Sequence, residues 1–453
     1  MKRRGFLKLT LATSSAILFP SFTYATALDV SKINFSSSIY SNNNAQTIIV
    51  YLYGGASQLA GNISNMEEIE KSSQNSYNDY FRKISKTKNS CWVEAGGDSM
   101  ERLMDDGDMT IFRCCYSNVR EQQNIKAHGV CTEQNQKGTF DSDGGGIFAN
   151  LATILQKNGV VDETTLMPFV TMDGESAFYH EGRTPVSSYL KPVGINKNFE
   201  NPYDRYVRRW TFYTAEERKK KDYSHRENGF NPALDAALNS MAQKHNKKGK
   251  IKDAFEKRAK LSDFIKNISQ TSTPDLGEKN YKNDNFSKKM EAAIKLLIKN
   301  SDTKVLTLGT SGLGGWDDHN DARNYVSRME QLFSTLESAM AHLKAEGKDQ
   351  NINIMIFGDF GRNVNLNSAH GWDHGNLQNF YVLGGKGYFN HKGVVGETIV
   401  DNPNSVNRLW LKPKSGTYWF EPLSIASTIY KIYGIDNPEI LTNNSPIIAP
   451  LFN

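Results

Sequence analysis

Acidic and imidazole side chains gather on short glycine-rich stretches in the second half of this 453-residue chain. One stretch reads Gly309-Thr310-Ser311-Gly312-Leu313-Gly314-Gly315-Trp316-Asp317-Asp318-His319. A second reads Gly358-Asp359-Phe360-Gly361-Arg362, and a third His370-Gly371-Trp372-Asp373-His374-Gly375-Asn376. Carboxylate oxygens and imidazole nitrogens are donors that zinc, manganese and magnesium choose. A divalent ion held there would act as a Lewis acid on a phosphoryl or sulfuryl oxygen, or sharpen a water as nucleophile. The candidate metal ligands are Asp317, His319, Asp359 and His374, with Asp318 and Asp373 as the nearest alternates. Arg362 has the planar fork to clamp an anionic ester. An earlier stretch, Gly54-Gly55-Ala56-Ser57-Gln58, adds Ser57 as a candidate nucleophile.

Each of these residues alone has a plainer role. Ser57 after a Gly-Gly turn suits a helix N-cap. Asp317 and Asp318 precede a helical pattern and would favour its N-terminal dipole. Arg362 can pair with a local carboxylate, and His370 reads as a surface loop residue. His128 and His180 stand by themselves, and His225, His245, His342 and His391 sit in polar contexts that assign them nothing. What favours a site is convergence: the acidic and imidazole residues all follow strand-like runs.

Those runs are the elements that must position the donors. Thr47 to Tyr53 is continuously apolar and β-branched, which suits a strand covered on both faces. Similar runs recur at Met109 to Cys114, Leu166 to Met172, Lys304 to Leu308, Asn353 to Phe357 and Phe380 to Leu383. Between them lie helical patterns. From Ala322 to Ala345, Tyr325, Met329, Leu332, Phe333, Leu336, Met340 and Leu343 recur at three- and four-residue steps, one apolar stripe. Pro422 to Ile432 is another, with Pro in its first turn and Gly434 beyond its end. Alternating strands and helices predict a doubly wound α/β sheet, with binding sites where loops leave the carboxyl ends of strands. Residues of about 196–300 are rich in Lys, Asn, Glu and Ser and read as a mainly helical insertion.

The N-terminus reads as an export signal over residues 1–27. Lys2, Arg3 and Arg4 precede an apolar run and Ala25-Thr26-Ala27, a small-x-small cleavage site. Arg3-Arg4 followed by Phe6-Leu7-Lys8 looks like a twin-arginine address, which the twin-arginine translocase would read. The expected location is the periplasm or cell surface, or secretion. Residues 28–46 read as a linker and 47–453 as the folded domain. The signal carries Lys2, Arg3, Arg4 and Lys8 and no acid, so its removal lowers the net charge from +5 to +1. That balance gives no electrostatic reason for nucleic acid or an anionic membrane as partner. No later segment is long and apolar enough to span a membrane. Cys91, Cys114, Cys115 and Cys131 lack zinc-ribbon or redox spacing and are expected to be free, partly buried thiols.

Taken in order, several motifs resemble the exported domain-of-unknown-function 1501 family, related to the alkaline-phosphatase and sulfatase superfamily. They are the twin-arginine start, Gly54-Gly55-Ala56-Ser57-Gln58-Leu59, Gly315-Trp316-Asp317-Asp318-His319, Gly358-Asp359-Phe360-Gly361-Arg362-Asn363, Asp373-His374-Gly375 and the closing Tyr433-Gly434-Ile435-Asp436. The resemblance implies a three-layer α/β sandwich with a mostly parallel, alkaline-phosphatase-like sheet and Asp and His ligands for divalent metal at its strand ends. It also implies cleavage of phosphate or sulfate esters by a Ser, Thr or Cys nucleophile. The chain departs from the active pattern at Ser57 and Ala60, where an acidic ligand is usual, and at Phe360, where a second-site ligand would fall. It departs also at Asp359, where many relatives have Glu, and at Ala127, where relatives often show Ser before His. These departures leave one ion or none. Two functions follow: an exported metal-dependent hydrolase of anionic esters, or a catalytically inactive relative that binds an exported protein partner. A dinucleotide enzyme is disfavoured, because Gly312 to Gly315 lacks the βαβ context.

Overall fold

Apolar runs of four to eight residues become the strands of one sheet in the computed structural model of the chain. It describes residues 28–72, 77–172, 178–181, 186–199, 240, 244, 260–261, 263–404 and 409–452. The strands are β1 (Gln46–Leu52), β2 (Met109–Tyr116), β3 (Phe169–Met172), β4 (Val193–Gly194), β5 (Val305–Leu308) and β6 (Ile352–Gly358). A two-residue pair follows, β7 (Gly361–Arg362) and β8 (His374–Gly375), then β9 (Leu377–Gly384) and β10 (Gly393–Val395). A ribbon, β11 (Thr398–Asp401) and β12 (Trp410–Pro413), lies outside the main sheet.

Eight strands form the sheet, in the order β10-β2-β9-β6-β1-β5-β3-β4. All pairs are parallel except those of β9, which runs opposite to both β2 and β6. The chain is therefore a mostly parallel three-layer α/β sandwich. The antiparallel β9 departs from the plain doubly wound sheet expected from strand–helix alternation. Its orientation has a consequence for the site: the start of β9 lies at the same sheet edge as the ends of β1, β2, β5 and β6.

Burial explains why these runs are strands. Every residue of β1 is buried, its side chains alternating between two cores. Ile48, Val50 and Leu52 face the helices Gly97–Asp105, Asn285–Lys299 and Arg323–Ala345, while Ile49 and Tyr51 face Ile147–Lys157 and Ser424–Ile432. Fully burying each such aliphatic side chain contributes about 1.5–3 kcal/mol, so a charge at Val50 would break the central strand. The stripe on the Arg323–Ala345 helix is buried at every predicted position.

Residues 28–46 are more than a linker. Ser36 caps a helix at Ser37–Asn43, and Val30, Ile33, Phe35 and Tyr40 pack against the second core. The segment of about 196–300 is described only in part, chiefly residues 263–300 with the Asn285–Lys299 helix. The rest of it, with His225 and His245, and the signal sequence 1–27 lie outside the described residues. All four cysteines are free and buried. Among the described residues no helix is long and apolar enough to cross a membrane.

Candidate metal centre

The loops at this sheet edge bring together His128, Asp317, His319 and His374, with one ligand atom of each within 4.8 Å of every other. His128 opens the helix His128–Lys137, the second helix after β2. Asp317 and His319 lie in the glycine-rich loop after β5, and His374 begins β8, just before β9. The β1 loop must pass close beneath them. Gly54 and Gly55 have φ of +109° and +70°, and a Cβ at Gly54 would sit 2.6 Å from the Asp317 nitrogen. Only glycine fits that combination of backbone angle and contact.

The three imidazoles are oriented alike. His128 Nδ1 meets Asp359 Oδ2 at 2.5 Å, His319 Nδ1 meets Asp373 Oδ1 at 3.3 Å, and His374 Nδ1 meets the Lys126 carbonyl at 2.6 Å. Each partner is an acceptor, so each Nδ1 carries a proton, which in the neutral ring leaves Nε2 to present a lone pair. The Nε2 atoms of His128, His319 and His374 lie 3.4, 3.3 and 3.9 Å from Asp317 Oδ1. His319 and His374 bring their Nε2 atoms within 2.8 Å of each other. Two lone pairs so close repel unless a cation or proton lies between them. His128 Nε2 is buried and has no hydrogen-bond partner.

These observations fit a metal ion. A tetrahedral site with bonds of about 2.05 Å has ligand–ligand edges of roughly 3.3 Å. The separations above bracket that edge. An oxygen on the far ring nitrogen is also the usual support for a metal-binding histidine. Three nitrogens and one oxygen suit zinc, or another late transition ion, better than magnesium, which prefers an all-oxygen shell.

Charges around the cluster favour a neutral His374 and an ionised Asp317, whereas His128 is biased toward its protonated form. His374 is pushed down to about 4, first by burial and then by the Arg362 charge, with His128 and His319 adding to it. His128 is raised above its usual range, chiefly by its hydrogen bond to Asp359 against an opposing burial cost. For Asp317, burial opposes ionisation, yet the Arg362 hydrogen bond and charge hold its carboxyl below the ordinary range.

Several predicted residues stand elsewhere than expected. Asp359 is wholly buried and does not join the four ligand atoms. Its Oδ2 orients His128 and its Oδ1 accepts the Gly54 N–H at 3.2 Å, so it supports the cluster from behind. Arg362 was expected to clamp an ester, but it is buried with its guanidinium spent inside the fold. Nε donates to the Gly55 carbonyl at 2.7 Å, Nη1 to the Trp372 carbonyl at 2.8 Å, and Nη2 to the Gly54 carbonyl and, at 2.5 Å, to Asp317 Oδ1. It ties the loops after β1 and β5 to the β7–β8 pair and holds Asp317 in place. Ser57 is buried, and its hydroxyl accepts the Leu59 N–H of a 3-10 turn, the capping role weighed against the nucleophile. Asp318 is buried and gripped by Arg328 through both oxygens at 2.6 Å, whereas Asp373 supports His319. His370 stacks on Tyr80 with ring centres 4.8 Å apart, and His342 lies buried beside Tyr281.

The sequence reading missed His128. It stands alone in sequence, and its signal was the resemblance, in which relatives often show Ser before His where this chain has Ala127-His128.

The family described as "Protein of unknown function (DUF1501)" matches residues 197–409. That span carries Asp317, His319, Asp359, Arg362 and His374, the core of the resemblance seen in the motifs, while β1 and His128 precede it. No curated protein matches the chain. Solved structures similar to it include the lipoteichoic acid synthase LtaP from Listeria monocytogenes, at 11% identity over 92% of this chain and 80% of that one, TM-score 0.34. Others are alkaline phosphatase from the Antarctic bacterium TAB5, at 11% over 86% and 98%, TM-score 0.34, and the C-terminal periplasmic domain of EcEptC from Escherichia coli in complex with Zn, at 10% over 89% and 86%, TM-score 0.38. The chemistry of the cluster rests on its own geometry.

Proposed function

We propose that His128, Asp317, His319 and His374 hold one divalent ion, zinc by the donor set, and that the protein hydrolyses an anionic phosphate or sulfate ester there. The observation that carries this reading is the convergence of three Nε2 lone pairs, each ring fixed from its far side by an oxygen. When bound, the ion would supply Lewis acidity to an ester oxygen or a water. Asp359, Asp373 and the Lys126 carbonyl keep the imidazoles in the ligating tautomer. Arg362 holds Asp317, whose side chain is 50% exposed, so the cluster opens to solvent on that side. Water, and not Ser57, is the nucleophile on this reading, because the Ser57 hydroxyl is enclosed in its turn. Arg3-Arg4 and the apolar run behind them support export by the twin-arginine route, with the reaction outside the cytoplasm.

The test is zinc loading followed by dialysis and metal analysis. About one ion per chain is expected, with loss of that ion in the His128→Ala/His374→Ala double variant. Hydrolysis of 4-nitrophenyl phosphate or sulfate should follow the ion content. Wild-type protein that remains metal-free after zinc loading would overturn the reading.

A second reading is favoured by the sequestration of Arg362 and Ser57, which leaves neither a free guanidinium nor a free hydroxyl of this set to meet an ester. On it, the metal-bearing fold is an exported binding component for a protein partner. Stoichiometric zinc without ester hydrolysis, together with a partner recovered at equal stoichiometry, would select it.

A further inference from the structure

We propose that Lys126 and Trp410 form a subsite beside the metal cluster that takes the ring of a ring-bearing anionic ester, sugar or aryl. The proposal deepens the hydrolase reading and rests on it for the position of the ester group. Both residues are attached to the same ligand. The Lys126 carbonyl accepts from His374 Nδ1 at 2.6 Å, and Trp410 Nε1 points at the His374 carbonyl from 3.5 Å. Both contacts reach His374 from the side away from its Nε2, so the two residues stand directly behind that ligand.

Their chemistry is complementary to a ring with charge close by. The Lys126 ammonium lies 5.3 Å from the centre of the Trp410 ring, and 3.7 Å from Glu121 Oε2, a loose pair. Glu121 is engaged more closely by Asn376, whose amide donates to the same oxygen at 2.6 Å. Arg120 and Arg362 are buried and donate inward, so of these three cations among the described residues it is Lys126 that stands at the rim. The indole is partly exposed in β12, and an aromatic face of that kind takes planar rings or the C–H face of a sugar. Its position is fixed from the site itself. Leu409, the preceding residue, donates to Asn365 Oδ1 at 2.8 Å and accepts from the Val364 N–H at 2.8 Å. Tyr116 and Trp419 form a second aromatic pair, edge to face at 6.1 Å, with Trp419 43% exposed.

The experiment is calorimetric titration of the zinc-loaded full chain with methylphosphonate, phenylphosphonate and a glucosyl phosphonate, none of which has an ester bond to cleave. A ring on indole is expected to tighten binding about two- to tenfold over the methyl compound. The better of the two ring compounds identifies aryl or sugar. Trp410→Leu should abolish the ring preference, Trp410→Phe should keep part of it, and Lys126→Gln should weaken all three ligands alike. Equal binding of the three by wild type, binding of none, or a ring preference that survives in Trp410→Leu would overturn the subsite. Zinc content and 4-nitrophenyl phosphate hydrolysis are read separately. Their failure counts against the hydrolase reading, whereas the ring preference is judged from binding alone.

Discussion

Asp359→Asn tests whether the buried carboxylate works through His128 or as a ligand itself. The substitution keeps the shape and removes a charge in a wholly buried position. The carboxylate now accepts twice, from His128 Nδ1 at 2.5 Å and from the Gly54 N–H at 3.2 Å. An amide cannot accept on both sides. If its oxygen takes His128, its NH2 confronts the Gly54 N–H, donor against donor. If its oxygen takes Gly54, its NH2 donates to His128 Nδ1 and drives the ring proton to Nε2, where it blocks the lone pair needed by the metal. Either arrangement weakens the ion without removing a ligand. Loss of such an outer partner typically lowers metal affinity 10- to 100-fold, about 1.4–2.7 kcal/mol. Competition with a chromophoric zinc chelator measures it, with a metal-free melting curve to check that the variant is folded. Affinity within twofold of wild type would refute the orienting role. A loss as complete as that of His128→Ala would instead make Asp359 a ligand, as the sequence first suggested.

Arg362→Met should destabilise the metal-free protein by about 3–5 kcal/mol in urea unfolding, because buried carbonyls of Gly54, Gly55 and Trp372 lose their donor and Asp317 its partner. A loss under about 1 kcal/mol would show that the guanidinium is dispensable to the loops. Acid should weaken the metal-free fold between pH 6.5 and 4. His180 and His342 are pushed down to about 4 by burial, and His374 to about 4 by burial and then the Arg362 charge, from a starting value of 6.5. The unfolded chain then binds more protons in that window, so their stabilisation is complete above pH 6.5 and lost as pH falls through 4. His128, raised, acts in the opposite sense and gives up its contribution as pH rises through its folded value. Urea midpoints at pH 7, 6 and 5 should fall in that order, less steeply in His342→Leu, and a flat profile would contradict the reasoning.

Much of the fold was legible because burial imposes a period. β1, β6 and the Arg323–Ala345 helix lie within a residue or two of the runs that announced them. The direction of β9 was not legible, since a run buried on both faces carries no mark of parallel or antiparallel pairing. The donors after β5 and before β9 were legible because glycine loops with Asp and His side by side are uncommon outside sites. His128 was not, because nothing next to it in sequence is a ligand. Its place is set by the turn from β2 and by Asp359, 231 residues away. Arg362 was misjudged for a related reason. A guanidinium that suits a substrate anion suits carbonyls and an aspartate equally well, and only packing tells them apart.

Phe360 decides how many ions this edge can hold. Its ring lies 4.7 Å from that of His128 and 4.4 Å from that of His374, and it is buried. A Cβ at Gly55 would come within 2.7 Å of it, so the β1 loop locks it in place. The space beside the four-residue cluster is thus walled by an aromatic ring, and the acids nearest in sequence are occupied, Asp359 by His128 and Asp318 by Arg328. No second set of donors remains there among the described residues. On the proposed reading, one ion must serve both the attacking water and the ester oxygen, with no second ion to neutralise the departing alkoxide. Such a centre favours esters whose leaving group is already stable as an anion. Aryl esters should therefore be cleaved well ahead of alkyl esters, and equal rates for the two would overturn the single-ion reading.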